Sequence, residues 1–200
     1  MRIRIDLKIF IFLLIFFFTN QVRPYLIIMF FCIFHEIGHI ITGLILRMKP
    51  EKIEIMSFGL SVSFYPKFNC NKIKEIFVAL AGPVTSLALV ILCSNIDLIY
   101  ITTQEAVYSN ILILLFNIIP IYPLDGGRII KAILHIKYGL IKSEILINKI
   151  SNITIIILTI ISSIAVYYYK NLAIFLICIF LWSLSLREKS DKTLDILQGK

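Results

Sequence analysis

Six stretches of the chain, roughly residues 7–22, 24–46, 76–98, 107–124, 153–169 and 171–186, are predominantly apolar over lengths close to those needed to cross a bilayer core. So many such runs in 200 residues exclude a soluble globular fold and predict a polytopic membrane protein. Composition agrees: 59% of the residues are hydrophobic and 16% charged, against roughly 25% charged in typical soluble domains. The expected fold class is therefore all-α, with six transmembrane helices forming a single membrane-embedded domain over 1–200.

A formal net charge of +8 invites a nucleic-acid reading until the lysines and arginines are placed between the apolar stretches. Eighteen of the 20 fall on one side, in the N-terminus (Arg2, Arg4, Lys8), the 47–75 segment, the 125–152 segment and the tail; Arg23 and Lys170 alone fall on the other. The positive-inside rule then places both termini in the cytosol of a bacterial cell, and the basic charge is accounted for by topology. No nucleic-acid partner is expected. Phe16-Phe17-Phe18-Thr19-Asn20 offers no small-residue cleavage site, so the first stretch is expected to remain as a helix. Cys32, Cys70, Cys93 and Cys178 lack paired spacing, and neither disulfides nor a cysteine metal site are expected.

Between the second and third stretches the pattern changes. Phe58, Leu60, Val62 and Phe64 alternate with Ser57, Gly59, Ser61 and Ser63, and Lys52-Ile53-Glu54-Ile55 alternates too. A short membrane-associated β-hairpin on the cytosolic face is predicted. It serves either as a plain connector or as an edge that pairs with an extended substrate.

Polar residues interrupt two of the apolar stretches, and intramembrane polar groups are costly enough to be functional by default. His35-Glu36-Ile37-Gly38-His39 is an H-E-x-x-H motif inside the Pro24–Leu46 run. On a helix, positions i and i+4 share a face, so both imidazoles can reach one tetrahedral Zn2+, while Glu36 is placed to act on a water as general base. The bland alternative is a pair of histidines that hydrogen-bond neighbouring helices.

Two imidazoles leave a catalytic zinc one protein ligand short. Asp97 and Glu105 belong to the outer side, and Glu51, Glu54 and Glu75 lie in segments that read as solvated. Asp125, in Tyr122-Pro123-Leu124-Asp125-Gly126-Gly127-Arg128 at the cytosolic end of the fourth stretch, is the best candidate. The prolines before it break the helix and the glycines after it let the backbone bend; an ordinary helix-terminating turn is the alternative. His135 sits in a basic segment and reads as solvated.

His35-Glu36-Ile37-Gly38-His39, followed by Asn117-Ile118-Ile119-Pro120-Ile121-Tyr122-Pro123-Leu124-Asp125-Gly126-Gly127, resembles the site-2 protease family of intramembrane zinc metalloproteases (peptidase M50). Ala81-Gly82-Pro83 resembles the small-residue motif of that family's middle core helix, and the match covers most of the chain. Six spans with cytosolic ends look most like the branch typified by the stage IV sporulation protein FB. The resemblance implies one Zn2+ per chain held by His35, His39 and Asp125, Glu36 as catalytic base, and Asn117, Pro120 and Pro123 near the substrate. It also implies a membrane-associated protein substrate such as a sporulation sigma-factor precursor, and an inhibitory membrane partner. Only Arg187 to Lys200 follow the last stretch, so no CBS domain is expected, and no outer loop has room for a PDZ insert.

Three functions compete on these residues. The first is a zinc metalloendopeptidase in which Glu36 deprotonates the attacking water. A metal transporter or sensor would use the same ligands transiently, but stretches one, five and six offer almost no polar path across the bilayer. A catalytically inactive membrane interaction protein would have little reason to keep every catalytic residue.

Overall fold

The computed structural model describes residues 2–5, 14, 16–18, 20–56, 59–65, 71–95, 100–169, 178–179, 181–183 and 185–186. The spans expected over 7–22 and 171–186 lie largely outside these residues, as do Ser57, Phe58, Cys70, Asp97 and the tail from Arg187 to Lys200. The chain divides into two compact units, Met1–Ile118 and Ile119–Lys200.

The first unit runs β1 (Arg2–Ile5), α1 (Val22–Ile45), β2 (Lys49–Met56), β3 (Gly59–Tyr65), α2 (Lys72–Cys93) and α3 (Thr103–Ile118). Local chemistry sets the ends of α1. Asn20 takes a left-handed φ of 56° just before it. There, the Asn20 and Gln21 N–H groups donate to Phe17 O and Phe16 O at 3.1 and 2.9 Å, closing a preceding helical turn. At the far end Arg47 takes φ 57°, and Arg47 and Met48 N–H donate to Leu44 O and Gly43 O at 2.9 and 2.8 Å. Lys74 Nζ adds a cap, donating to Leu46 O at 3.1 Å, which ties the start of α2 to the end of α1. The first N–H groups of α2 are met in turn by Asn71, whose Oδ1 accepts from Ile73 N–H at 3.0 Å.

Strand β2 pairs antiparallel with β3, Ile53 opposite Val62, and parallel with β1, Ile3 opposite Ile53. The sheet order is β1-β2-β3. The 47–75 segment thus carries the strands where the alternation falls, and an N-terminal strand joins them. Both β2 and β3 pack against α1.

The helices of this unit are arranged with polar groups inside and large apolar groups outside. Ile27, Phe31 and Cys32 of α1, Cys93 of α2, and Ala106 and Ile113 of α3 form a buried apolar cluster. His35, His39, Ser86 and Asn110 are also buried, whereas Phe30, Ile33, Ile41, Leu44, Phe77, Val84 and Leu87 are exposed. That distribution suits a hydrocarbon surround, where outward apolar side chains cost nothing and polar groups must find partners inside. Among the described residues, α1, α2 and the long helix of the second unit are long and apolar enough to cross a membrane.

Helix α3, with 16 residues, stops at Ile118 rather than at 124, because Pro120 and Pro123 cannot continue it. Residues 119–124 are irregular and open the second unit. There α4 (Asp125–Tyr169) is broken at Gly139, which takes φ 78° and ψ 176°. Lys131 on one arm pairs with Glu144 on the other at 2.5 Å, and the Tyr122 N–H just before the first arm reaches Ser151 on the second. Contacts at both positions require the arms 125–138 and 140–169 to fold back antiparallel. The basic segment that sequence patterning left between two spans is therefore a helical hairpin with a one-residue turn, and its His135 is half-buried rather than solvated.

Candidate metal centre

In the first unit α1 carries His35, Glu36 and His39, and its neighbour α2 holds both imidazoles by their Nδ1 atoms. His39 Nδ1 lies 2.7 Å from Val78 O. A carbonyl oxygen can only accept, so Nδ1 carries the proton and Nε2 keeps its lone pair for a metal. His35 Nδ1 lies 2.9 Å from Ser86 Oγ, inside the protein. The two rings meet edge-on, with centroids 4.9 Å apart and planes at 79°.

Their Nε2 edges converge on Gly82. A Cβ built there would lie 2.5 Å from His35 Nε2 and closer still to His39 Nε2 and Cε1. Gly38, between the histidines, makes the reciprocal approach, for its Cβ would overlap Thr85 Oγ1 and lie 3.1 Å from Ala81 O. Glycine at both positions lets α1 and α2 approach at small-residue contacts, as close helix pairs in membranes do. Glu36, about 100° around the helix from His35, is half-buried.

Helices α1 and α3 start side by side, joined by Arg23 Nη2 to Glu105 Oε2 at 3.0 Å. From that pair His35 and Asn117 each lie twelve residues further along their helices, about 18 Å of rise. Asn117 is thus level with His35. Its Nδ2 donates to Ile113 O one turn back at 3.0 Å, and the residue is half-buried.

In the second unit, Pro120 and Pro123 flank an irregular turn closed by Leu124 N–H to Ile121 O at 2.8 Å; the Tyr122–Pro123 peptide is cis. Asp125 opens α4, 4% exposed, where the helix dipole favours a carboxylate. Arg128 Nη1 donates to its Oδ1 at 3.4 Å. Gly127 is required by packing, since a Cβ there would meet the Ile121 and Tyr122 backbone at 2.5 Å or less.

His35, His39 and Asp125, all buried, are a group able to hold a metal ion. Two neutral imidazoles with anchored Nδ1 atoms and one carboxylate make the donor set of a catalytic zinc with an open fourth position, and the residues fit Zn2+. Nothing in the sequence marks Ser86 or the Val78 carbonyl as anchors. Only the spacing of α1 faces, once α2 is known to pack there, would have found them.

No family model matches the chain. A zinc metalloprotease of Methanocaldococcus jannaschii is 35% identical over 119 residues, covering 56% of this chain and 34% of that protein. Stage IV sporulation protein FB of Bacillus subtilis is 26% identical over 116 residues, covering 56% of this chain and 40% of that protein. The chain thus matches only about a third to two fifths of the length of these relatives. Among solved structures, a site-2 protease from Methanocaldococcus jannaschii superposes with a TM-score of 0.76 at 22% identity, covering 93% of this chain and 89% of that one. Its spanning helices and these relatives make the chain a multi-pass membrane protein. The sequence relatives thus include a zinc metalloprotease, and the backbone has the fold of a site-2 protease.

Proposed function

We propose that the chain is an intramembrane zinc metalloprotease. It hydrolyses a peptide bond in or beside the membrane segment of a membrane-associated protein, with His35, His39 and Asp125 as metal ligands and Glu36 as general base. The observation that carries this reading is the imidazole pair: both Nδ1 atoms are anchored on α2 and both Nε2 atoms converge, one residue from a carboxylate, inside an apolar 24-residue helix.

Zinc, when bound, supplies Lewis acidity and brings the pKa of a coordinated water toward 7. The chain's own residues do the rest. Glu36 takes the proton of the attacking water on a carboxylate oxygen and returns it to the leaving amine nitrogen. Asn117, level with His35, offers its carboxamide to the substrate backbone, and Pro120 and Pro123 keep the neighbouring segment out of helix so that an extended chain has room.

A substrate helix hides its peptide groups in its own hydrogen bonds and must be extended before attack. We assign that task to β3, at the edge of a sheet packed against α1, lying on the cytosolic membrane surface and pairing with the unwound substrate. Six spans with both termini in the cytosol complete the arrangement, supported by the distribution of 18 of the 20 basic residues.

Similarity to stage IV sporulation protein FB makes a membrane-tethered sporulation sigma-factor precursor the first substrate to try, with an inhibitory membrane protein as the expected partner. The test is co-expression of that precursor with wild type and with Glu36→Gln, reading zinc content and cleavage. Zinc in both proteins and cleavage only by wild type is the expected result. Cleavage by Glu36→Gln removes the base, and a wild type without zinc removes the metal centre.

A further inference from the structure

Three residues before Asp125, Tyr122 is gripped from several directions by the helical hairpin that follows it. Its peptide N–H donates to Ser151 Oγ at 3.0 Å, and Ser151 is buried on the returning arm. Its ring lies under Lys131 Nζ, 4.4 Å from the centroid, and Lys131 is in turn held by Glu144 across the hairpin at 2.5 Å. Its backbone crosses Gly127 so closely that no side chain fits there. The grip falls on the irregular residues 119–124, which have no helix or sheet of their own and, in an apolar surround, depend on side chains to satisfy the freed backbone groups.

From this arrangement we infer that Ser151 and Lys131 are positioning residues for the Asp125 carboxylate, acting through Tyr122. The inference rests on the reading of Asp125 as a metal ligand. Helix α4 begins at Asp125, and only Pro123 and Leu124 separate it from the clamped residue, so the place of Tyr122 fixes where the helix starts and which way its first carboxylate is presented. Outer groups that orient a ligand commonly account for 10- to 100-fold in metal affinity without touching the metal. Ser151 and Lys131 are groups of that kind, reached through the backbone rather than by a hydrogen bond to the carboxylate.

The test uses the full chain in detergent micelles, with zinc affinity measured by competition against a chelating dye and melting followed on the zinc-free protein. Ser151→Ala is expected to weaken zinc binding about tenfold, with Ser151→Thr restoring it because the hydroxyl returns. Lys131→Gln is expected to weaken binding in the same direction. The Co2+-substituted Ser151→Ala protein should show altered visible absorption bands, reporting a changed ligand geometry. A merely structural serine would lower the melting point of the zinc-free protein while leaving zinc affinity and the cobalt spectrum unchanged, and that result overturns the inference. Asp125→Ala is the control: if it binds zinc like wild type, the ligand assignment itself falls; if it loses zinc while Ser151→Ala keeps full affinity, only the positioning role falls.

Discussion

Replacing Gly82 by alanine sets helix propensity against the histidine pair. In the interior of α2 an alanine is favoured over glycine by about 1 kcal/mol, so propensity alone predicts a more stable protein. The structure predicts the opposite sign. The new methyl carbon would sit 2.5 Å from His35 Nε2 and nearer to His39 Nε2 and Cε1, about 1 Å inside ordinary contact with both rings. Neither imidazole can swing aside cheaply, since Ser86 Oγ and Val78 O hold them from behind at 2.9 and 2.7 Å. Overpacking of this kind costs about 1–3 kcal/mol, enough to cancel or exceed the propensity gain. The effect on metal is larger, because usable ligand distances tolerate only about 0.2 Å, so zinc affinity should fall by more than tenfold. Chelator competition reads the second quantity and denaturant unfolding in detergent the first. A Gly82→Ala protein that binds zinc as tightly as wild type and unfolds later would refute the convergence of the two Nε2 atoms on this residue.

Three further outcomes follow from other contacts. Ser86→Ala removes the partner of His35 Nδ1 and should weaken zinc binding about 10- to 100-fold, with Ser86→Thr closer to wild type in the same titration. Gly139→Ala places a methyl where φ is 78°, and thermal unfolding should show a loss of about 1–2 kcal/mol even though the surrounding space is open. Glu105, at the start of α3, has its pKa held below the ordinary carboxylate value of 4.5, first by the Thr102 N–H and, among its side-chain partners, by the Thr102 hydroxyl and Arg23. Its contribution is therefore present above pH 4.5 and lost as pH falls below that value through the folded-state pKa; Glu105→Gln should flatten the acid limb of a stability–pH curve over that window.

Much of the site is legible in the residues because helix geometry is local. The i, i+4 spacing puts His35 and His39 on one face whatever surrounds them, and prolines at 120 and 123 stop a helix in any context. The anchors of the histidines are not local: Val78 and Ser86 lie some forty to fifty residues away, and one serine among the apolar residues of α2 looks like any other. The fold-back at Gly139 is hidden for another reason. A single glycine in a helical pattern ordinarily costs about 1 kcal/mol and nothing more, and only its positive φ, with Lys131 meeting Glu144 across it, makes it a turn. Strand β1 was visible in part, since Arg2-Ile3-Arg4-Ile5 alternates, but four residues carry too weak a period to outweigh their role as topology-setting charges.

The two glycine contacts between α1 and α2 also bear on movement. Gly38 seats against Thr85 and Ala81, and Gly82 lies against both imidazoles, so close approaches occur on each helix within about two turns. Turning α1 by one residue would bring Ile37 or His39 against α2 in place of Gly38, and sliding it by one turn would carry the rings off Gly82 and break both Nδ1 anchors. Helices α1 and α2 are therefore locked as one body around the histidines. If the proposed proteolysis holds, a substrate chain would have to gain its opening from displacement of other elements, with the imidazoles keeping their geometry.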